Sequence, residues 1–84
     1  MSKKIVSRFG IVKHNVLTDP NLSIQAKGLY SILCCYANKK RLCWPSISTL
    51  ADDADSSQSS IKRWLKELKQ HNYISRVGRK LKIL

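Results

Sequence analysis

The sequence is poor in acidic residues, and this deficit dominates its composition. Five Asp and Glu residues stand against 16 Lys and Arg residues, which gives a formal net charge of +11 at pH 7. An excess of this size indicates a polyanionic partner, with nucleic acid as the first candidate and an anionic membrane as the second. The membrane alternative requires a basic amphipathic helix with an open apolar face, whereas the apolar faces of this chain are needed for its core.

The sequence also lacks the features of a membrane or secreted protein. No apolar run approaches the ~20 residues of a membrane span, and no apolar segment of a signal peptide follows Lys3 and Lys4. Cys34, Cys35 and Cys43 contain no C-x-x-C pair and make a poor disulfide framework. We therefore expect a cytoplasmic protein whose thiols are reduced and mostly buried.

Catalytic and metal-binding patterns are missing as well. His14 and His71 have no partner at ligand spacing, the acids are not paired, and no glycine-rich phosphate loop occurs. The serines of residues 56–60 are better explained by a turn and a helix cap than by nucleophilic chemistry. We expect no enzyme activity, no catalytic residues, no cofactor and no metal.

The composition predicts one small domain over residues 1–84, because 43% of the residues are hydrophobic and the chain has room for one modest core. Residues 1–8 form a basic N-terminal segment, and a short apolar run in residues 8–14 is typical of an edge strand. Asp19-Pro20 predicts a turn. A helix then begins after a cap at Ser23 and ends near Asn38, with apolar residues at helical spacing.

A helix-turn-helix is predicted over residues 46–72. Ser46 and Ser57 can each cap a helix, and apolar residues recur at spacings of three and four behind both serines. Asp55 and Ser56 interrupt the pattern. Asn72 can terminate the second helix, because Asn tolerates the left-handed conformation that a helix terminator needs.

The two predicted helices differ in charge, which gives them different roles. The second helix carries a basic set opposed only by Glu67, namely Lys62, Arg63, Lys66 and Lys69. The first helix and the turn have no cation and carry Asp52, Asp53 and Asp55. A helical hairpin packed only for stability would mix the signs more evenly. In a helix-turn-helix the second helix enters the major groove, so this polarity predicts binding of double-stranded DNA.

A β-hairpin is predicted over residues 73–84. Ile74, Leu81 and Ile83 alternate with polar residues on either side of Gly78-Arg79, which can turn the chain. A hairpin directly after a helix-turn-helix is a wing. The predicted fold class is therefore α+β, mainly α: a winged helix-turn-helix with three helices, a C-terminal hairpin and a short N-terminal strand.

Three features have alternative explanations. Gly28 costs about 1 kcal/mol relative to Ala in a helix, and either close approach of another backbone or a kink would account for it. The cations of residues 39–41 favour the negative end of a helix dipole, contact a phosphate, or do both. We expect Trp44 to pack on the core as an anchor. Base stacking is the less favoured role for Trp44, because no other aromatic residue is close to it in the sequence.

The candidate DNA contacts lie on the second helix and the wing. Side chains in the first turn of a recognition helix reach base edges, and those further along contact bases or phosphates. Arg63 suits either a bidentate pair with guanine or a phosphate. The wing cations suit the backbone or the minor groove. The predicted DNA-binding residues are Gln58, Ser59, Ser60, Lys62, Arg63, Lys66, Arg79 and Lys80.

Two motifs resemble known families. The first resembles the N-terminal winged-helix domains of plasmid and phage replication initiators, namely the plasmid initiator A family and DnaD-like replisome organisers. The second is similar to the helix-turn-helix pattern of many bacterial regulators. The resemblance covers residues 9–77. The first motif reads Leu22-Ser23-x-x-Ala26-Lys27-Gly28-Leu29-Tyr30, then Tyr36-Ala37, then Cys43-Trp44-Pro45-Ser46-Ile47-x-x-Leu50-Ala51; the second reads Ser57-x-x-x-Ile61-x-x-x-Leu65-x-x-Leu68-x-x-x-Asn72-x-Ile74.

The resemblance implies a replication initiator that binds DNA as a homodimer and recruits replication proteins through a following C-terminal domain. A small transcriptional repressor and a winged-helix module for an acidic protein partner remain as alternatives. The sequence departs from the helix-turn-helix pattern at Asp55 and Asn72, where Gly is usual, and at Ser56, where an apolar residue is usual. We expect Ser56 to remove a core contact and to loosen the turn.

Overall fold

The structure is a computed structural model that describes residues 12–84. Within these residues three longer helices and a C-terminal hairpin follow the predicted order, and the winged helix-turn-helix fold class is confirmed. A short first helix and a two-residue strand between the first and second longer helices were not predicted. None of these helices is long and apolar enough to cross a bilayer. The elements are α1 (His14–Leu17), α2 (Ile24–Tyr36), β1 (Leu42–Cys43), α3 (Ile47–Ala54), α4 (Gln58–Gln70), β2 (Ile74–Val77) and β3 (Lys80–Ile83).

The N-terminal strand predicted over residues 8–14 lies mostly outside the described residues. At its described end His14 begins α1, so the extended prediction is wrong at that residue. The single turn of α1 lets Val16 be fully buried in the core. The predicted turn at Asp19 is present, because the Asp19 side chain and main chain accept from the backbone N–H groups of Asn21 and Leu22.

Each predicted serine cap is present at its helix. The first turn of a helix leaves backbone N–H groups without partners, and a serine hydroxyl that precedes the helix can accept from one of them. All three hydroxyls accept from the residue three positions on, at 3.0–3.1 Å. The pairs are Ser23 with Ala26, Ser46 with Thr49, and Ser57 with Ser60.

Two non-glycine residues in the left-handed conformation end α3 and α4. Asp55 has φ 52° and Asn72 has φ 62°, as predicted for these positions. After α3 the Ser56 N–H donates to the Ala51 carbonyl at 3.0 Å, which is the long hydrogen bond of a Schellman motif. The Ser56 hydroxyl also donates to the Ala54 carbonyl at 3.0 Å. The side chain of Ser56 thus adds one hydrogen bond to the turn at a position where an apolar residue is usual.

The core lies between the three longer helices and the inner face of a three-stranded antiparallel sheet of order β1-β3-β2. Strand β3 alternates between its two faces, with Leu81 and Ile83 buried and Lys80 and Lys82 exposed. The alternation follows from the two-residue period of a strand. The largest fully buried side chains include Tyr30, Leu29, Leu33, Leu50, Ile61, Leu68, Ile74 and Ile83.

A long-range contact fixes α4 against the start of α2. Both oxygens of the Glu67 carboxylate accept hydrogen bonds from Ser23, one from its backbone N–H at 2.6 Å and one from its hydroxyl at 2.8 Å. Ser23 is also the N-cap of α2. A carboxylate is favoured there because the N-terminus of a helix carries partial positive charge. The same carboxylate therefore stabilises the start of α2 and holds α4 beside it.

A glycine-dependent constraint shapes the hairpin. Gly78 has φ 64° in the two-residue turn between β2 and β3, a conformation that costs an L-residue free energy. Gly28 in α2 is different, since an added Cβ would meet no atom within 4 Å. The close backbone approach considered for Gly28 is therefore wrong, because the space beside it is open.

Replacing Glu67 should destabilise the fold. We expect Glu67→Ala to lower the free energy of unfolding by about 2 kcal/mol, because it removes two hydrogen bonds to a charged group. Lys66→Ala is the matched control on the exposed face of the same helix and should change stability by less than about 0.5 kcal/mol. Urea unfolding followed by circular dichroism measures both. Equal effects of the two substitutions would contradict the assigned role of Glu67.

The two glycines should respond to alanine in opposite directions. Gly28→Ala should raise the free energy of unfolding by about 1 kcal/mol, since alanine is the better helix former and has room. Gly78→Ala should lower it by about 1 kcal/mol, because alanine must adopt a positive φ in the turn. Thermal and urea unfolding of the two variants test this pair, and changes of the same sign would refute it.

Candidate nucleic-acid interface

The exposed face of α4 is a cationic stripe, which we define as Ser59, Lys62, Arg63 and Lys66. These residues are exposed and recur at spacings of three and four, so they share one side of the helix. The opposite side is buried against α2 and α3 through Ile61, Leu65 and Leu68. The apolar face therefore holds the helix to the core and leaves the stripe open to solvent.

The three predicted base-reading residues in the first turn of α4 differ in their exposure. Gln58 is exposed as the first residue of the helix, and Ser59 is exposed on the stripe. Ser60 is half-buried, and its hydroxyl accepts a hydrogen bond from the Ser57 hydroxyl at 3.0 Å. The structure thus places Gln58 and Ser59 at the accessible end of the helix and engages Ser60 in the cap.

Two acids of α3 and α4 accept hydrogen bonds from residues outside the stripe. Glu67 is the one acid of α4, and both of its oxygens accept from Ser23. Asp53 on α3 accepts a hydrogen bond from the Tyr36 hydroxyl. Neither α3 nor α4, both wholly described, has an acid in its first turn. No acid in the first turn of either helix therefore compensates the positive end of its dipole, which favours an anion there.

The wing adds further cations at the turn of the hairpin. Arg79 lies in the two-residue turn, and Lys80 is the first residue of β3; both are exposed. Lys80 pairs with Val77 across the hairpin. The structure thus confirms the hairpin and presents the two predicted wing residues on its outermost part.

The prediction that Trp44 packs on the core is wrong. Trp44 is 58% exposed, whereas its neighbour Cys43 is buried in β1. Successive residues of a strand point to opposite faces, so burial of Cys43 directs Trp44 outward. The Lys80 ammonium lies 5.1 Å from the centre of the Trp44 ring, in cation–π geometry.

Trp44 also lines an open cleft of about 240 Å³ together with Tyr36 and Pro45. Base stacking was less favoured because no aromatic residue is close to Trp44 in the sequence, but in the structure Tyr36 lies close to it. Tyr36 comes from the end of α2 and is brought to Trp44 by the fold. Leu42, Cys43 and Trp44 are all apolar, so the sequence contains no alternation that could direct Trp44 outward.

The cations of residues 39–41 do not all face the same way in the loop after α2. The Asn38 side-chain oxygen accepts from the backbone N–H groups of Lys40 and Leu42, and Arg41 has φ 64°. The Arg41 guanidinium turns toward Cys34, with Nη2 at 4.0 Å from Sγ. Lys39 and Lys40 are exposed. Lys39 and Lys40 are therefore the more accessible of the three cations to an external phosphate.

The cysteines are free, with Cys34 and Cys43 buried and Cys35 exposed. Burial raises the pKa of the Cys43 thiol to about 11 and also raises the pKa of Cys34. Both buried thiols are therefore protonated near neutral pH, which is the less reactive form. Among residues 12–84 no group of three or more His, Cys, Asp or Glu side chains is placed to hold a metal ion.

Comparison with protein families agrees with this architecture. The family model described as "Helix-turn-helix domain" matches residues 21–74, more than half of the 84-residue chain. No curated protein and no solved structure matches the chain. The matched residues contain α2, β1, α3 and α4, which include the cationic stripe, and they end at the first residue of β2. The chain therefore belongs to the helix-turn-helix domain family and is a helix-turn-helix DNA-binding domain.

Proposed function

We propose that this domain binds double-stranded DNA by placing α4 in the major groove. The observation that carries the proposal is the cationic stripe, which lies exposed on the second helix of a helix-turn-helix while the acid of that helix is bound to Ser23. A helix fits the major groove, and cations on its outer face neutralise the flanking phosphates.

The residues of the interface have different tasks in this proposal. Gln58 and Ser59 lie at the start of α4, from which side chains reach base edges, and Gln suits adenine. Lys62 and Lys66 contact phosphates. Arg63 pairs with a guanine, whose two acceptors match its planar fork, or holds a phosphate, and the salt dependence of binding separates these two roles.

The wing and the helix starts support the same mode of binding. Arg79 and Lys80 extend the positive surface beyond α4 and are suited to the backbone or the minor groove. The serine-capped starts of α3 and α4 carry no acid in their first turns. Backbone N–H groups at such helix starts are favourable partners for phosphate.

A salt series tests the proposal. Fluorescence anisotropy on random-sequence duplex DNA should show affinity that falls steeply with salt, because counterions are released on binding. The double variant Lys62→Gln/Arg63→Gln should bind more weakly and reduce the slope of log affinity against log salt by about two if each side chain neutralises one phosphate. A slope reduced by only about one would assign Arg63 to a base.

Lys13→Gln is the control for loss of charge alone. The Lys13 ammonium donates to the Leu84 carbonyl, at the end of the hairpin away from the Gly78-Arg79 turn. This variant should keep the slope of the parent chain. No duplex binding at low salt, or a Lys62→Gln/Arg63→Gln variant that binds like the parent, overturns the proposal and favours an acidic protein partner.

We further propose that the domain serves a plasmid or phage replication initiator. The support is the resemblance of residues 9–77 to initiator winged-helix domains, including the Trp44-Pro45-Ser46 start of α3. In this role the domain acts as a homodimer, and replication proteins are recruited through a C-terminal domain. A transcriptional repressor would use the same DNA surface, so the interface residues do not separate the two roles.

The arrangement of target sites distinguishes an initiator from a repressor. Selection of bound fragments from a library of plasmid and phage genomic DNA, followed by sequencing, should recover repeated copies of one site within a replication origin. Control selections with Lys62→Gln/Arg63→Gln should lose this enrichment. Recovery of single palindromes over promoters would refute the initiator role and establish a repressor.

A further inference from the structure

The outer face of the sheet carries an unusual row of exposed side chains beside the wing. Strand β1 pairs with β3 through Leu42 with Lys82 and Cys43 with Leu81. The next position of this register places Trp44 beside Lys80, in agreement with the cation–π contact. Lys80 in turn pairs with Val77 on β2. We call Trp44, Lys80 and Val77 the outer row.

The outer row combines apolar surface with positive charge. Trp44 is 58% exposed and Val77 is 49% exposed, and both rank among the most exposed large hydrophobic residues of the described chain. Lys80 lies between them, and Lys82 follows on the same face of β3. None of the described strand residues is acidic. The face therefore suits a ligand that presents a flat apolar surface together with negative charge.

The cleft beside Trp44 points to a planar group. The cleft has a volume of about 240 Å³ and is lined by Trp44, Tyr36 and Pro45. An unpaired base of a single strand presents such a plane, and the phosphates of that strand can lie along the lysines of β3. Stacking of bases on exposed aromatic rings beside a basic groove is the usual way in which proteins bind single strands.

We propose that the outer row and its cleft form a second nucleic-acid site, which binds single-stranded DNA by stacking a base on Trp44. A duplex is a poor ligand for this cleft, because each base face in a duplex is covered by its neighbours. The site is thus separate from the cationic stripe of α4. The choice of DNA over RNA rests on the proposed duplex function, because a strand that separates from the bound duplex would be near this site.

Titration with a 12-residue oligothymidylate tests the site. Trp64→Phe leaves Trp44 as the one tryptophan, and oligothymidylate should quench its fluorescence. Trp44→Ala in the same background has no tryptophan, so its binding is measured by the fluorescence anisotropy of a fluorescein-labelled oligothymidylate. The affinity should fall about tenfold, which is the loss expected for one base–aromatic stack. Trp44→Phe retains a ring and should weaken binding by less than about threefold. Thermal unfolding of each variant verifies that it folds.

Duplex binding separates this proposal from the preceding one. Trp44→Ala should bind duplex like the parent, whereas Lys62→Gln/Arg63→Gln should lose duplex affinity and keep most of its oligothymidylate affinity. If Lys62→Gln/Arg63→Gln keeps duplex affinity while Trp44→Ala loses oligothymidylate affinity, the duplex proposal fails and the stacking site stands, with its preference for DNA decided by the comparison with oligouridylate.

Several outcomes would overturn the single-strand site. Equal losses of duplex and oligothymidylate binding in Trp44→Ala would assign Trp44 to the duplex interface. Unchanged oligothymidylate binding in Trp44→Ala would remove the stacking role. Equal affinity for a 12-residue oligouridylate would refute the assignment to DNA. Quenching of Trp44 by a polyglutamate peptide but not by oligothymidylate would assign the face to an acidic protein.

Discussion

The orientation of α4 depends on the contact between the Glu67 carboxylate and Ser23. Two short hydrogen bonds join residues 44 positions apart, and one of them uses a backbone N–H that has no helical partner. The apolar side of α4, including Ile61 and Leu65, can then pack against α2 and α3 in one arrangement. Packing supplies most of the stability of such a helix, and the hydrogen bonds of the carboxylate help to fix its orientation on α2.

This contact also determines the charge of the outer surface. An acid on the outer side of α4 would oppose the cations of the stripe, whereas Glu67 is turned inward to the start of α2. Lys62, Arg63 and Lys66 therefore act as a continuous positive surface. One side chain thus stabilises the fold and leaves the cationic stripe unopposed, which is consistent with a domain that binds a polyanion.

The sheet gives the domain a second surface of different character. The register of β1 on β3 buries Cys43 and turns Trp44 outward beside Lys80. The stripe of α4 is polar and cationic, whereas the outer row offers an aromatic ring next to an ammonium group. The first surface suits the regular groove of a duplex, and the second suits bases that are no longer stacked.

The sequence by itself determined the features that depend on neighbouring residues. The serine caps, the left-handed Asp55 and Asn72, the apolar faces and the hairpin all follow from interactions within a few positions along the chain, so the fold and the stripe could be predicted. The partner of Glu67, the exposure of Trp44 and the inward turn of Arg41 were decided by the tertiary structure. Their contacts join segments that the fold brings together, because the pairing of β1 with β3 and the packing of α4 on α2 involve residues that are not neighbours in the sequence.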